Sequence, residues 1–240
     1  MDEVRVVTAA QEQLSRHPSF RGIHRVWPEF LLHDRVVNAH WDDLYERRPE
    51  FQFYVYDEAA DVVLAEGNTV PVVWDGTPVP GGVDWAIPQV RSDATPTTLC
   101  ALQAMVRAEA QGRGFSRLIV ETMGRLANEH GLDCLIAPVR PTHKPRYPLT
   151  PIERYVGWRR GDGLLFDPWL RTHERLGAEL VGIASESMRV EGATAEWEEW
   201  TGMVFPDEGD YVVPGALVPV RFTGGRGVYV EPNVWMRHSV

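Results

Sequence analysis

The chain has 240 residues, of which 44% are hydrophobic and 24% charged, and its formal net charge is -10. The negative charge argues against nucleic acid as a partner, and no stretch approaches the roughly 20 apolar residues of a membrane span. The first residues lack a basic leader and an apolar segment, so we expect a cytoplasmic protein. The length allows one large domain or two small ones, and we expect one domain over residues 1–240 because the sequence has no internal repeat and no low-complexity linker.

The first half of the chain alternates between apolar runs and loops rich in proline and glycine. These patterns predict, in order, a strand at residues 4–7, a helix at 10–16, one or two helices within 17–50, and a hairpin of strands 51–56 and 62–73. A loop at residues 77–82 separates the hairpin from the strand that follows.

Residues 97–139 predict a strand, a helix and a second strand. Apolar residues recur at helical spacing from Phe115 to His130, and Gly131 marks the end of that helix. Because a helix connects the two strands, we expect them to pair in parallel, with a right-handed crossover.

The second half begins with an irregular insertion at about residues 141–168 and ends with an extension at about 191–240. Between and within these segments the patterns predict a helix at 169–176 that ends at Gly177, and strands at 180–183, 187–190, 212–220 and 227–230.

A glycine-rich turn at residues 111–116 joins the strand to the helix. Such a turn leaves backbone N–H groups unpaired at the positive end of the helix dipole, where they bind anions. Gly112 and Gly114 permit close approach, and Arg113 and Arg117 supply positive charge. The alternative is that the glycines only turn the chain. The spacing does not match a nucleotide-binding P-loop or a dinucleotide fingerprint.

Neither cysteine predicts a metal site. Cys100 and Cys134 lie within apolar strands, where a free thiol usually packs as a small hydrophobic side chain. They lack the CxxC spacing and the paired histidines of a zinc site, and we expect no metal.

Two motifs resemble those of the GNAT superfamily of N-acetyltransferases. The family signature [QR]-x-x-G-x-[GA] stands here as Gln111-x-x-Gly114-x-Ser116, with serine in place of the usual glycine or alanine. A second family motif, Y-x-x-L-G-F/A, is similar to the segment from His173 to Ala178. The resemblance covers about residues 4–190.

The resemblance implies an α/β fold, with a GNAT-like central mixed, mostly antiparallel sheet, a parallel splayed strand pair and helices on both faces. It also implies acetyl-CoA or another acyl-CoA as co-substrate. The pantetheine would contact Ala104, Met105 and Val106, and one amide near Ala104 or Met105 would hold the oxyanion. The residues expected at the pyrophosphate are Gln111, Gly112, Arg113, Gly114, Phe115 and Ser116.

His173 occupies the place where the family motif carries a tyrosine. The resemblance implies that it is the general acid for the departing thiolate, since an imidazole can donate a proton near pH 7. The alternative is a residue on the helix surface that interacts favourably with the helix dipole.

The general base and the acceptor site have several candidates. An ordered water, Asp84 beside Trp85, and Glu186 are alternatives for the base, and each carboxylate is otherwise a surface or turn residue. Asp84, Trp85 and Lys144 are the candidate acceptor contacts. Lys144, the single lysine, lies in the insertion, which forms an acceptor lid or a packed surface flap. The C-terminal extension contains two tail motifs rich in aromatic residues, at 196–200 and 229–235, which complete the acceptor pocket or form a homodimer contact.

The function predicted from these features is transfer of an acetyl or short acyl group from acyl-CoA to an amine of a small molecule. Two alternatives remain at this point. The protein is a non-catalytic acyl-CoA-binding module of the same fold, or it acetylates a protein lysine or N-terminus.

Overall fold

A computed structural model of the chain describes residues 4–20, 23 and 27–240. The strands are β1 Val4–Thr8, β2 Gln52–Asp57, β3 Val62–Val72, β4 Thr98–Val106, β5 Cys134–Val139, β6 Glu179–Ala193, β7 Gly209–Tyr211, β8 Val220–Thr223 and β9 Arg226–Ser239. The α-helices are α1 Arg35–Arg47, α2 Val83–Ala86, α3 Phe115–Glu129, α4 Ile152–Tyr155, α5 Pro168–Arg175 and α6 Thr194–Thr201. Short 3₁₀ helices include Leu14–Arg16, Glu29–His33, Ile87–Arg91, Ala108–Ala110 and Lys144–Arg146.

The strands of the described residues form one sheet in the order β1-β2-β3-β4-β5-β9-β8-β7, and β6 also pairs with β9. The β4–β5 pair is parallel, and the other pairs are antiparallel. The predicted hairpin and the predicted strand–helix–strand unit are therefore confirmed. So is the mixed, mostly antiparallel sheet.

Helices cover both faces of this sheet, as predicted. The apolar side chains that recur along α3, such as Ile119, pack against Leu99 on one face. On the opposite face, Leu44 of α1 packs with Val70 and Cys100. Burial raises the pKa of the Cys100 thiol, which is consistent with a packing role. None of the described helices combines the length and apolarity needed to cross a lipid bilayer.

The insertion packs around one buried carboxylate. Asp167 caps α5 by accepting from the amide of Trp169 at 2.9 Å, and it also accepts from the His143 amide and the Tyr155 hydroxyl, both at 2.8 Å. One side chain thus ties the start of the insertion to its end. The segment contains a 3₁₀ turn and α4, which the sequence patterns did not predict.

The C-terminal extension is part of the central sheet. Its last strand, β9, lies between β5 and β8, and Trp197, Phe222 and Tyr229 build a second apolar cluster beside it. The predicted strands at 180–183 and 187–190 are one strand, β6, whose pairing with β9 shifts register twice.

Two predicted elements were wrong. Residues 10–16 form a turn and one 3₁₀ turn, because the Gln11 side chain accepts from the amide and the hydroxyl of Thr8 and so stabilises a turn there. Residues 212–219 are irregular and β8 begins at Val220, since the prolines in this segment cannot donate to a strand ladder.

Candidate active site

The glycine turn leaves a row of amides at the start of α3. Gly112 and Gly114 have φ of 75° and 89°, the left-handed region that glycine adopts without strain. Among the described residues, the amides from 112 to 117 donate to no other backbone group, and Leu118 is the first to bond, to the Gly114 carbonyl at 3.1 Å. The first turn of α3 contains no acidic residue. This turn therefore presents several donors and the positive end of a helix dipole to an anion.

The arginines near this turn differ in their contacts. The Arg113 guanidinium lies 5.3 Å from the centre of the Phe115 ring. Arg117 pairs with Glu121 one helical turn further on, with Nε and Oε1 2.7 Å apart. Arg113 is thus the cation better placed to supplement the amides.

Beside this turn, β4 and β5 separate. They pair only from Thr98 to Cys100 on β4 and from Cys134 to Ile136 on β5. The pairing of β4 with β3 also contains a bulge at Leu102, since Asn68 opposes Gln103 while Thr69 opposes Ala101. Beyond Cys100, the edge of β4 that faces β5 consequently has backbone groups with no ladder partner.

A cavity of about 860 Å³ fills the gap between the two strands. Its lining runs from the glycine turn and the separated strands to the 3₁₀ helix Glu29–His33, α1 and β9. Lining residues include Gln111, Gly112, Ser116, residues 101–106 and 137–139, His173, Arg140, Glu231, Asn233, Trp27, Asn38 and Trp41.

The cavity includes most of the predicted cofactor contacts. Ala104, Met105, Val106, Gln111, Gly112 and Ser116 line it. Arg113, Gly114 and Phe115 do not: Phe115 is buried in the core below α3, and Gly114 is the N-cap of the helix. These three residues belong to the same turn as the lining residues.

His173 lies in the cavity wall and is 3% exposed, so the alternative of a helix-surface residue is wrong. Its Nδ1 is 2.8 Å from Nε2 of His238, and its buried Nε2 has no partner among the described residues. Burial, together with the neighbouring His238, lowers the pKa of His173 to about 3. The ring is therefore neutral at physiological pH.

Either ring of this histidine pair can carry the hydrogen that joins them. Burial lowers the pKa of His238 to about 4, so this ring is also neutral at physiological pH. Nδ1 of His173 donates to Nε2 of His238 in one tautomer and accepts from it in the other. A role of His173 as general acid requires the tautomer that carries its hydrogen on Nε2, with Nδ1 accepting from His238.

The predicted acceptor contacts lie outside the cavity lining. Asp84 accepts from the Arg189 amide at 3.0 Å, and burial together with the Asp34 carboxylate raises its pKa to about 8. Trp85 packs edge-on against Trp235, with ring centres 5.8 Å apart. The geometry thus gives both residues packing roles.

Lys144 is fully buried and holds two segments of chain together. Its ammonium donates to the carbonyls of Tyr147, at 2.9 Å, and Leu217. Burial lowers its pKa to about 8. It is not among the cavity-lining residues, although its neighbours Thr142 and Pro145 are.

The cavity wall also contains an ion pair that the sequence patterns did not predict, on the face of the sheet opposite α3. Arg140 follows β5 directly, and its Nε is 3.0 Å from both carboxylate oxygens of Glu231 on β9. Glu231 and Asn233 belong to the tail motif, so the alternative that the tail completes the pocket agrees with the cavity lining.

A second buried carboxyl lies behind the β4 wall. Gln103 lines the cavity and donates to Glu66 at 3.2 Å and to Asn68 at 3.0 Å, while the Tyr45 hydroxyl donates to Glu66. Burial raises the pKa of Glu66 to about 7. Glu66 is on β3, the strand that pairs with β4. In the described part of the chain, no group of three or more potential ligands is arranged around a metal position.

The fold and the cleft together define a class, the CoA-dependent acyltransferases. No family model matches the chain. It is 31% identical to arginine N-acetyltransferase avaD from Aspergillus versicolor, over 249 aligned positions that cover 90% of this chain and 86% of that relative. The chain belongs to the GNAT superfamily of N-acetyltransferases.

Two solved structures share this fold. The loading GNATL domain of CurA from Lyngbya majuscula has a TM-score of 0.58 and 15% identity, covering 98% of this chain and 96% of that one. The GphF GNAT-like decarboxylase in complex with isobutyryl-CoA has a TM-score of 0.59 and 17% identity, covering 98% of each chain. The predicted fold and family are confirmed. The protein is an enzyme that transfers an acyl group from acyl-CoA to an amine.

Proposed function

We propose that the enzyme uses acetyl-CoA to acetylate the amine of a small amino acid, with arginine as the first acceptor to test. The relative at 31% identity is an arginine N-acetyltransferase. One observation carries the proposal: a single cavity connects the amides of the glycine turn to the buried pair of Arg140 and Glu231. Cofactor and acceptor would enter from opposite ends and meet between the strands.

In this proposal the glycine turn holds the pyrophosphate of the cofactor. The pantetheine lies along the edge of β4 at Ala104, Met105 and Val106, where amides and carbonyls have no partner on β5. An amide at Ala104 or Met105 then stabilises the oxyanion that forms when the amine attacks the thioester carbonyl. Removal of one such donor typically costs about 10² to 10³ in kcat.

His173 is proposed to act beside the thioester sulfur. As the amide forms, the attacking nitrogen gives up a proton to water, the carbon–sulfur bond breaks, and the leaving thiolate takes up a proton. His173 supplies the proton for the thiolate only in the tautomer that carries it on Nε2. In that tautomer Nδ1 of His173 accepts from Nε2 of His238, so the acid role depends on the state of the pair.

Two measurements test the proposed function. The first is the binding of acetyl-CoA, by isothermal titration. The second is the release of free CoA thiol, with mass analysis of the product, when arginine, other amino acids, simple amines or a peptide N-terminus is the acceptor. We expect binding and acetylation of a free amino acid. Absence of acetyl-CoA binding would contradict the proposal. Exclusive acetylation of the peptide would favour the alternative that the enzyme acetylates a protein.

A further inference from the structure

Two opposite formal charges lie at the acceptor end of the cavity. Among its described lining residues, Arg140 and Glu231 are the ones with a formal charge, and their side chains are 17% and 0% exposed. A buried ion pair is a poor way to stabilise a fold, because apolar side chains of similar size avoid its desolvation cost. Its position in a cleft therefore indicates a role toward a ligand.

Glu231 is already saturated with hydrogen bonds. Both of its oxygens accept from Arg140, the Tyr229 hydroxyl donates to Oε2 at 2.8 Å, and the Asn233 amide donates to Oε1 at 3.1 Å. Tyr229 is held in turn by the Leu217 amide at 2.9 Å. With its oxygens occupied, Glu231 orients Arg140 and is poorly placed to take a proton from substrate.

Arg140 retains donors that the protein does not use. A guanidinium has five N–H groups. Nε donates to Glu231, Nη2 donates one hydrogen to the Gly215 carbonyl at 2.6 Å, and Nη1 has no acceptor among the described residues. The guanidinium carbon is 5.8 Å from the centre of the Trp27 ring. Arg140 is thus fixed on two sides, with unused donors in a cavity wall.

Resting on the proposed function, we propose that Arg140 binds a carboxylate of the acceptor, so that the enzyme selects amino acids over the corresponding decarboxylated amines. The planar fork of arginine matches a carboxylate, and a fixed guanidinium loses little side-chain entropy on binding. The same chemistry would also recognise a carboxylate on the acyl group of a dicarboxylic acyl-CoA. We assign the acceptor because Glu231 shares its face of the sheet with Trp235, which packs beside α1, whereas the glycine turn begins α3 on the opposite face.

The test compares L-arginine with agmatine, which lacks only the carboxylate. We expect the wild-type enzyme to favour arginine in kcat/KM by about 10- to 100-fold, the range of a charge-assisted hydrogen bond. The double variant Arg140→Gln with Glu231→Gln removes both charges together and leaves no unpaired buried ion. Its ratio of arginine to agmatine activity should fall to about one, while the Kd for acetyl-CoA stays unchanged.

A further variant and a second donor complete the design. Arg140→Lys keeps the charge but loses the planar fork, so its arginine-to-agmatine ratio of kcat/KM should be intermediate. If thermal unfolding shows that the double variant is misfolded, Arg140→Lys takes its place in the test. Equal wild-type use of both amines would overturn this inference alone. Acetylation of neither amine, with acetyl-CoA still bound, would overturn the proposed function as well. If the variants change discrimination between succinyl-CoA and acetyl-CoA instead, the acceptor assignment is wrong.

Discussion

Charge at the glycine turn offers the sharpest test of the cofactor site. Gly114 has φ of 89°, and a Cβ built there meets no atom within 4 Å. The space beyond it is therefore open to a ligand, and substitution is opposed by backbone conformation alone. Gly114→Asp and Gly114→Asn form a matched pair, because both side chains tolerate left-handed backbone better than most and they differ by one charge.

The expected difference between the variants follows from Coulomb's law. A phosphate bound to these amides lies roughly 5 Å from a carboxylate at residue 114, which gives about 1 to 3 kcal/mol of repulsion for an effective dielectric between that of water and about 20. The Asp variant should therefore bind acetyl-CoA about 5- to 150-fold more weakly than the Asn variant. The Asn variant itself reports the cost of the turn conformation and the added side chain.

Isothermal titration with acetyl-CoA measures the difference in Kd between the two variants. Thermal unfolding without ligand checks that the two variants are equally stable. Raising the salt from about 0.1 M to about 1 M shortens the Debye length from about 10 Å to about 3 Å, so the gap between the variants should narrow. Equal affinity of the two at low salt would show that no anion binds at this turn.

The remaining predictions concern buried titratable groups. His173→Gln keeps a polar atom near the unpartnered Nε2, and His173→Asn keeps one near Nδ1. If Nε2 assists the chemistry, turnover should fall about 10²-fold more in the Asn variant, whereas equal losses mean a packing role. The lowered pKa of His173 means that both variants should also flatten the loss of stability as pH falls from about 6.5. Burial and Asp34 raise the pKa of Asp84 to about 8, so the native protein keeps a proton that the unfolded chain releases above about pH 4. Native stability therefore falls as the pH rises from about 4 to about 8. Asp84→Asn should flatten that fall in thermal unfolding and leave kcat/KM unchanged. Lys144→Met should lower the free energy of unfolding in urea by about 2 kcal/mol or more, because two carbonyls lose their donor. A higher KM for arginine with unchanged stability would instead place Lys144 at the acceptor.

Local sequence patterns predicted most of the fold and the position of the glycine turn. The period of the apolar residues predicts α3 and the two strands beside it, since each element buries one face. The glycines at 112 and 114 predict the anion turn because their conformation is a local property of the backbone. The errors at residues 10–16 and 212–219 occurred where short segments were decided by neighbouring side chains and prolines.

The acceptor half was decided by tertiary structure. Arg140 and Glu231 are 91 residues apart in the chain and meet because β9 pairs with β5, a register that no local pattern encodes. Lys144 and Asp84 were predicted to contact the acceptor from their residue types. In the folded protein Lys144 is buried and donates to the Leu217 carbonyl, and Asp84 accepts from the Arg189 amide. The sequence by itself determined the glycine turn and its row of free amides, since these depend on consecutive backbone residues. Only the folded sheet decided which side chains line the cavity, because that depends on which distant strands become neighbours.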